Sequence, residues 1–454
     1  MYNYMAIILC IILVIIALTN TKNLNKNLIN PLLIFGILWS SILYLNSLQL
    51  YNLKATDNNI YLIILTGIIA FGMGYLIVCT FRKKYRFVIS SSAGIENKNS
   101  HKEYSPRYRF LCILGCICII YYLKNLVTVL NLLLQGKDLS IIRAMAQDPD
   151  SILNIRSNIE NALYILIILP FSMALEPIVA VDFWNGKRHK PLLIICMTII
   201  FLRVITDGGR TPIVNFVIYM VISYILSSRK GMQNHTLRKT KKNKKWYLII
   251  GVFFGAVLLY YTTVSRNGEN ALKTTYYYFA MDPYMFDVWA QKVDYNNLIG
   301  YGMGSMNGFI FPILYLIKNF FGINFPEYWS SIYDMILLTD SQWQIITQTG
   351  IRANAYVSMF WFFYLDGRIL GVTLGMLSYG MIICNSYISA IRHNTCKNIC
   401  LYALIYQGLF FSFIRFPFSN IYYSLAYLFI GLIAYKPIKI MEINDIKINK
   451  IKHG

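Results

Sequence analysis

Long apolar runs separated by short polar stretches restrict the fold of this chain more than any other feature. A helix that crosses a bilayer needs about 20 mainly apolar residues, and runs near that length recur almost to the C-terminus. Only 14% of the residues are charged, against about 25% in soluble domains. The sequence therefore predicts an all-α polytopic membrane protein with about 11 transmembrane helices, at approximately 4–19, 31–50, 60–79, 110–133, 161–181, 191–205, 212–227, 246–263, 368–390, 399–417 and 420–435.

The basic residues concentrate on one side of the predicted membrane. If the loops alternate from an outer N-terminus, the cytoplasmic segments are 20–30, 80–109, 182–190, 228–245, 391–398 and 436–454. These segments hold two thirds of the 42 Lys and Arg residues but only a quarter of the 20 acidic residues. The positive-inside rule therefore predicts an outer N-terminus and a cytoplasmic C-terminus. The basic runs are predicted to contact anionic membrane lipids. Nucleic acid is not an expected partner, because no aromatic residues are interleaved with the basic ones.

One outer segment interrupts the pattern of short loops. We divide the chain into an N-terminal bundle of eight spans (1–263), this large outer segment (264–367), C-terminal transmembrane helices (368–436) and a basic cytoplasmic tail (437–454). Two apolar stretches inside the segment, Met306 to Gly322 and Asn354 to Gly367, are predicted to form interfacial or re-entrant helices. If both crossed the membrane, the count would rise to about 13 spans.

The outer face lacks the residue types that bind metals or form disulfides. All five histidines fall in the predicted cytoplasmic segments, and the nine cysteines fall in spans or on the inner side. We therefore expect neither a metal site nor a disulfide framework there. Charged residues inside the spans are few, Glu176 and Lys124 being the main ones. An outer acid–base group must be a carboxylate, and spacing does not choose among Asp207, Glu269, Asp282, Asp287, Asp334, Asp340 and Asp366.

A polar break between two predicted spans, ITDGGRTP at 205–212, is a candidate anion-binding site. Gly208 and Gly209 let backbone N–H groups approach an anion closely. The helix that begins near Pro212 points its positive end at the same place. The guanidinium of Arg210 adds forked donors that match phosphate oxygens. At a membrane surface the natural phosphate is a lipid head group or a polyprenyl diphosphate.

Other outer residues extend this candidate site. Arg266 and Arg352 carry the same guanidinium chemistry. Arg203 lies four residues before Asp207, so these two either support the anion site or form a local ion pair at a helix end. The glycine-rich stretch GYGMGSMNG at 300–308 is interpreted as flexible backbone beside a substrate groove, or as a plain loop.

Three stretches resemble one family of membrane enzymes. INPLLIFGILWSSILYL (29–45), DGGRTPIVNFVIY (207–219) and above all RANAYVSMFWFFYLDGRILG (352–371) resemble the Wzy-type oligosaccharide repeat-unit polymerases of O-antigen and capsule assembly. The last stretch is similar to their N-x-Y, D-x-G and G pattern at Asn354, Tyr356, Asp366, Gly367 and Gly371. It departs from that pattern in two ways: Gly367 directly follows Asp366, and Arg368 stands where an apolar residue is expected.

The resemblance implies a function. Such enzymes transfer a polyprenyl-diphosphate-linked glycan chain to the non-reducing end of a new lipid-linked repeat unit, on the periplasmic face of the bacterial cytoplasmic membrane. They use a fold similar to GT-C glycosyltransferases and need neither a metal nor a nucleotide cofactor, and a chain-length regulator protein is a possible partner. The residues implied are Arg210, Arg266, Arg352, Gly208 and Gly209 for the diphosphate, Asp366 or Asp282 as the base, and Arg203, Asp207, Asn354 and Tyr356 in support.

Several alternatives to these assignments stay open. Asp366 before Gly367 is also typical of an ordinary helix cap. A lipid-linked oligosaccharide flippase would be expected to have short loops throughout, and an O-antigen ligase to use an outer histidine. A nucleotide-sugar glycosyltransferase would need a cytoplasmic D-x-D motif, whereas the D-x-D motif of this chain, at 148–150, is predicted to face outward.

Overall fold

A computed structural model describes residues 2–19, 29–92, 103–137, 141, 145, 151, 157–206, 209–227 and 271–438. The predicted span at 246–263 lies outside these residues. So do Asp207, Gly208 and Arg266 of the predicted diphosphate site.

The described chain is mostly helical. Its helices are α1 (Tyr2–Thr19), α2 (Pro31–Ser47), α3 (Asn58–Ser92), α4 (Tyr108–Leu134), α5 (Asn158–Asn185), α6 (Lys190–Thr206), α7 (Thr211–Ser227), α8 (Ala271–Ala280), α9 (Asp282–Tyr295), α10 (Asn307–Phe321), α11 (Glu327–Ser341), α12 (Ser358–Arg392), α13 (Cys396–Phe410) and α14 (Ile421–Ile433). Four short strands are β1 (Glu103–Pro106), β2 (Gln344–Ile345), β3 (Arg352–Ala353) and β4 (Tyr435–Ile438).

Within the described residues, five helices are long and apolar enough to cross a membrane. These are α1, the first part of α3 (Asn58–Arg82), α4, α5 and α12. Shorter apolar helices include α2, α7, α10 and α14. The all-α class is therefore confirmed, and the helices agree with a membrane protein. The count of about 11 spans stays a prediction.

The predicted span at 399–417 is wrong in its last part. Helix α13 ends at Phe410, and turns follow it. The backbone of these turns bonds to a distant segment, because Val357 N donates to Ile414 O over 3.2 Å and Met359 N donates to Ser412 O over 2.8 Å. A proline at 417 also disfavours helix in the residue before it. Apolar composition alone predicts neither the bonds to the distant segment nor the effect of the proline.

Close packing of α12 along α3 forms the centre of the bundle. A Cβ atom at Gly74 would overlap the backbone carbonyl of Leu377, and one at Gly380 would overlap the carbonyl of Phe71. Small residues allow helix backbones to approach this closely in membrane proteins. Around this pair, α1 packs on α2 and α3, α4 packs on α6, and α5 packs on α7 and α14.

The predicted outer segment folds onto one end of the bundle. We call this end, formed by residues 48–57, 271–357 and 411–420, the loop end. Lys54 N donates to Ile346 O over 3.0 Å, and Asn46 Nδ2 donates to Ala280 O over 2.8 Å. At the opposite end, β1 and β4 pair in antiparallel register. The segment is therefore a helical layer, α8 to α11, with a β2–β3 hairpin, rather than an extended loop.

Candidate functional site

A break in α12 places charged groups at the loop end. The residues before it, 358–366, are helical and buried. The backbone then leaves the helical region at Gly367, and Arg368 adopts φ 56° and ψ −140°. A positive φ on a residue with a side chain costs about 1–3 kcal/mol and is often found where function requires it. The predicted domain boundary at 367/368 falls at this break and stays a prediction.

The Asp366 carboxylate binds the glycine-rich stretch. Its Oδ1 accepts the N–H of Gly304 over 2.7 Å, and its Oδ2 accepts the N–H of Ser305 over 2.9 Å. The carbonyl of Asp366 also accepts Tyr301 N over 2.9 Å. A Cβ at Gly300 would lie 2.5 Å from Oδ1, so a larger residue there would displace the carboxylate.

This geometry bears on both interpretations of Asp366. The helix-cap alternative is wrong, because the carboxylate bonds to a segment about 60 residues away rather than to the helix that follows it. The base role stays a prediction. Two backbone bonds and an exposure of only 7% favour an anchoring role.

Arg368 forms an ion pair that the sequence did not predict. Its Nε lies 2.8 Å from Oδ1 of Asp294, and its Nη2 donates to the carbonyl of Val293 over 3.1 Å. The hydroxyl of Tyr364 donates to Oδ2 of Asp294 over 2.9 Å. The Nη1 of Arg368 is buried and has no hydrogen-bond partner within the described residues. One nitrogen of the guanidinium therefore keeps hydrogen-bonding capacity that the described residues do not use.

A cavity of about 750 Å³ lies beside the break. Polar groups of its lining, Gly302, Ser305, Asp366 and Arg368, belong to the α12 break and the glycine-rich stretch. The rest of the lining is mainly apolar: Ile299, Met306, Phe309, Phe363, Leu370, Leu374, Ile382, Phe416 and Phe418, with Tyr301, Ser378, Tyr379, Tyr427 and glycines. Leu370 and Leu374 are 74% and 64% exposed, so the cavity borders the outward face of an apolar helix.

A second polar cluster joins α11 to the turns after α13. Arg415 Nη2 lies 2.6 Å from Oδ1 of Asp340 and also donates to the hydroxyl of Thr339. Burial lowers the pKa of Arg415, and the Asp340 carboxylate opposes that shift. Burial likewise raises the pKa of Asp340, and Arg415 opposes it. Asn354 donates its side-chain amide to the carbonyl of Asp340.

Tyr356 lies in the same region as this cluster. Its ring stacks on Tyr278 with centroids 5.6 Å apart and lies 6.0 Å from the ring of Phe413. The structure therefore brings together Asn354 and Tyr356, both predicted to support the site, with an aromatic surface and an arginine. The predicted span 399–417 contains Arg415 and Pro417. A charged residue and a proline inside a predicted span were the sequence signal that could have identified Arg415 as a candidate site residue.

Arg203 lies away from the loop-end surface. Its Nη1 is 3.0 Å from Oε1 of Glu176, and the two side chains are 11% and 2% exposed. This ion pair joins α6 to α5 inside the bundle and keeps two opposite charges together in a low-dielectric interior. The pairing with Asp207, the other possibility, falls outside the described residues.

The remaining predicted site residues lie on separate elements. The carbonyl of Arg210 accepts Ile213 N over 3.1 Å, so this arginine directly precedes α7 and its carbonyl joins the first turn of that helix. Arg352 is exposed on β3. Asp282 is fully buried, and neither carboxylate oxygen has a hydrogen-bond partner within the described residues. Burial raises the pKa of Asp282 well above its ordinary value, so its neutral form is favoured.

No family model, no curated protein and no solved structure matches this chain. Among the side chains that the structure describes, no group of three or more His, Cys, Asp or Glu residues could hold a metal ion.

Proposed function

We propose that this protein is a polysaccharide polymerase of the bacterial cytoplasmic membrane. It would transfer a polyprenyl-diphosphate-linked glycan chain to the non-reducing end of a new lipid-linked repeat unit. The proposal includes about 11 spans in a GT-C-like architecture, with the loop end facing the periplasm.

The cavity beside the α12 break is the observation that carries this proposal. A lipid-linked diphosphate needs an apolar surface for its isoprenoid chain and hydrogen-bond donors for its phosphates. The cavity has apolar walls next to the exposed Leu370 and Leu374, and polar groups where it meets the glycine-rich stretch. Its volume of about 750 Å³ is in the range of specific ligand sites.

The donors at this polar edge suit a diphosphate. Nη1 of Arg368 has no hydrogen-bond partner within the described residues, and arginine nitrogens match phosphate oxygens in charge and geometry. Gly302 lines the same edge, where its backbone has no side chain in the way. Asp294 and Tyr364 hold the guanidinium in place.

The reaction then follows from the substrates. A hydroxyl of the acceptor sugar forms a bond to the anomeric carbon of the donor chain, while the bond from that carbon to the diphosphate oxygen breaks. The hydroxyl proton passes to a carboxylate, for which we propose Asp366 or the half-exposed Asp294. The guanidinium stabilises the negative charge that develops on the leaving diphosphate.

A polymerase handles two lipid-linked substrates, so a second polar surface is expected. The region around Arg415, Asn354 and Tyr356 offers aromatic rings for sugar stacking. Arg210, Arg266 and Arg352 stay predicted phosphate ligands of one of the two substrates.

Deletion of the gene tests the proposed function. Surface polysaccharide from the deletion strain is separated on a gel, with a complemented strain as control. A polymerase is expected to leave a single repeat unit attached at the surface. Loss of all repeat units would indicate a flippase instead, and polymer held on the carrier lipid would indicate a ligase. Full-length polymer would contradict the proposal.

A further inference from the structure

The second half of α10 carries large apolar side chains that the described residues leave uncovered. Ile313, Phe320 and Phe321 are 60%, 79% and 75% exposed, and Leu316 and Ile323 are exposed as well. Residues 313, 316 and 320 follow the three- and four-residue spacing of one helix face. The helix therefore presents a continuous apolar face rather than scattered apolar side chains.

The other face of α10 is packed firmly. Phe311 stacks on Tyr315 with ring centroids 5.4 Å apart and contacts Trp329 of α11 at 6.1 Å. Trp329 in turn stacks on Tyr333 at 4.8 Å. These aromatic contacts join α10 to α11, and α10 also packs on α14. The exposed apolar face therefore belongs to a helix that packs on two others.

Charge and length indicate what covers this face. Lys318 is the one charged residue from Asn307 to Pro326, and its ammonium lies 4.7 Å from the ring of Phe325. A soluble protein partner would leave polar residues at the edges of the contact, and this stretch has few. Helix α10 has 15 residues and is about 22 Å long, too short to cross a hydrocarbon core of about 30 Å. Lying in the interface suits this length.

The apolar face also continues onto the cavity. Met306, directly before α10, and Phe309 in its first turn line the same cavity as Leu370 and Leu374 of α12. The ring of Phe309 stacks on Phe418 with centroids 5.6 Å apart. Apolar surface therefore runs from the exposed side of α12, past the cavity, to α10.

We propose that α10 is an interfacial membrane anchor. Its face of Ile313, Leu316, Phe320 and Phe321 lies among phospholipid acyl chains, just below the head groups of the leaflet at the loop end. Lys318 reaches toward the head groups. The anchor holds the cavity open to the lipid phase, so that a lipid-borne ligand enters sideways from the bilayer. This inference does not depend on the proposed polymerase activity.

Lipid and aqueous quenchers distinguish the possible surroundings of α10. Phe320→Cys is made in the full-length chain, in which the native cysteines are replaced. The protein is labelled at this cysteine with an environment-sensitive fluorophore and reconstituted into phosphatidylcholine and phosphatidylglycerol vesicles. We expect quenching by lipids that carry a nitroxide high on the acyl chain, and little quenching by iodide. Tyr295→Cys is the matched control, because Tyr295 is 91% exposed at the loop end. At that position iodide is expected to quench instead.

Two results would overturn the inference. Equal iodide quenching at positions 320 and 295 would mean that α10 projects into water. Protection of position 320 from both quenchers would mean that protein, such as a second copy of the chain, covers this face.

Discussion

At the residue scale, two roles of the Asp366 carboxylate differ in a measurable way. If it anchors the glycine-rich stretch, Asp366→Asn replaces one acceptor oxygen with an N–H group. A backbone donor of Gly304 or Ser305 is then unsatisfied, which costs about 1–3 kcal/mol. We expect a lower midpoint of thermal unfolding in detergent together with loss of polymer. Exposed Asp334→Asn is the matched control and is expected to unfold like the wild type. Loss of polymer with a wild-type midpoint would instead support the base role.

The buried Asp282 carboxyl predicts a pH dependence of stability. Its folded-state pKa is raised above its ordinary value of 3.8 by burial, so the folded state keeps the proton to a higher pH than the unfolded state. Its contribution to stability is full below about 3.8 and is lost as the pH rises toward the folded-state pKa. Asp282→Asn cannot ionise, so its unfolding midpoint relative to wild type is expected to rise with pH. A difference between the two midpoints that stays constant from acidic to alkaline pH would contradict this.

At the element scale, the close contact of α3 and α12 is the feature most sensitive to substitution. A Cβ at Gly74 meets the rigid backbone of Leu377 rather than a movable side chain. We expect Gly74→Ala to lower the unfolding midpoint clearly, because the helices must separate. Gly431 in α14 has nothing within 4 Å of the added atom, so Gly431→Ala is expected to be neutral or stabilising by up to about 1 kcal/mol. Equal midpoints for the two variants would show that the packing is looser than described.

The sequence predicted most helices and missed most contacts of the site, for a physical reason. Apolar runs such as 4–19 and 110–133 specify helices locally, because a bilayer requires satisfied backbone bonds over a fixed length. The turns after α13 instead bond to the distant residues Val357 and Met359. The contacts of Asp366 with Gly304 and Ser305, and of Arg368 with Asp294, join residues more than 60 positions apart. No local pattern encodes such pairs.

At the scale of the whole molecule, the proposal combines three surfaces at one end of a helical bundle. The cavity would take the isoprenoid chain, the α12 break would hold the diphosphate, and the cluster around Arg415 would face the sugars. Arg368 belongs to both of the first two surfaces. Glycine adopts a φ of 56° without strain, so Arg368→Gly removes the guanidinium while leaving the backbone turn intact.

Chain growth by the purified protein tests the central claim most directly. Lipid-linked repeat units extracted from the deletion strain are incubated with the protein in lipid nanodiscs, without nucleotide sugars, and the glycans are separated by size. The wild-type protein is expected to produce a ladder of products that differ by one repeat unit. The Arg368→Gly variant is expected to unfold at the same midpoint as the wild type and to lengthen none of the repeat units. Unchanged single repeat units with the folded wild-type protein would contradict the polymerase function, and a normal ladder from Arg368→Gly would contradict the assigned site.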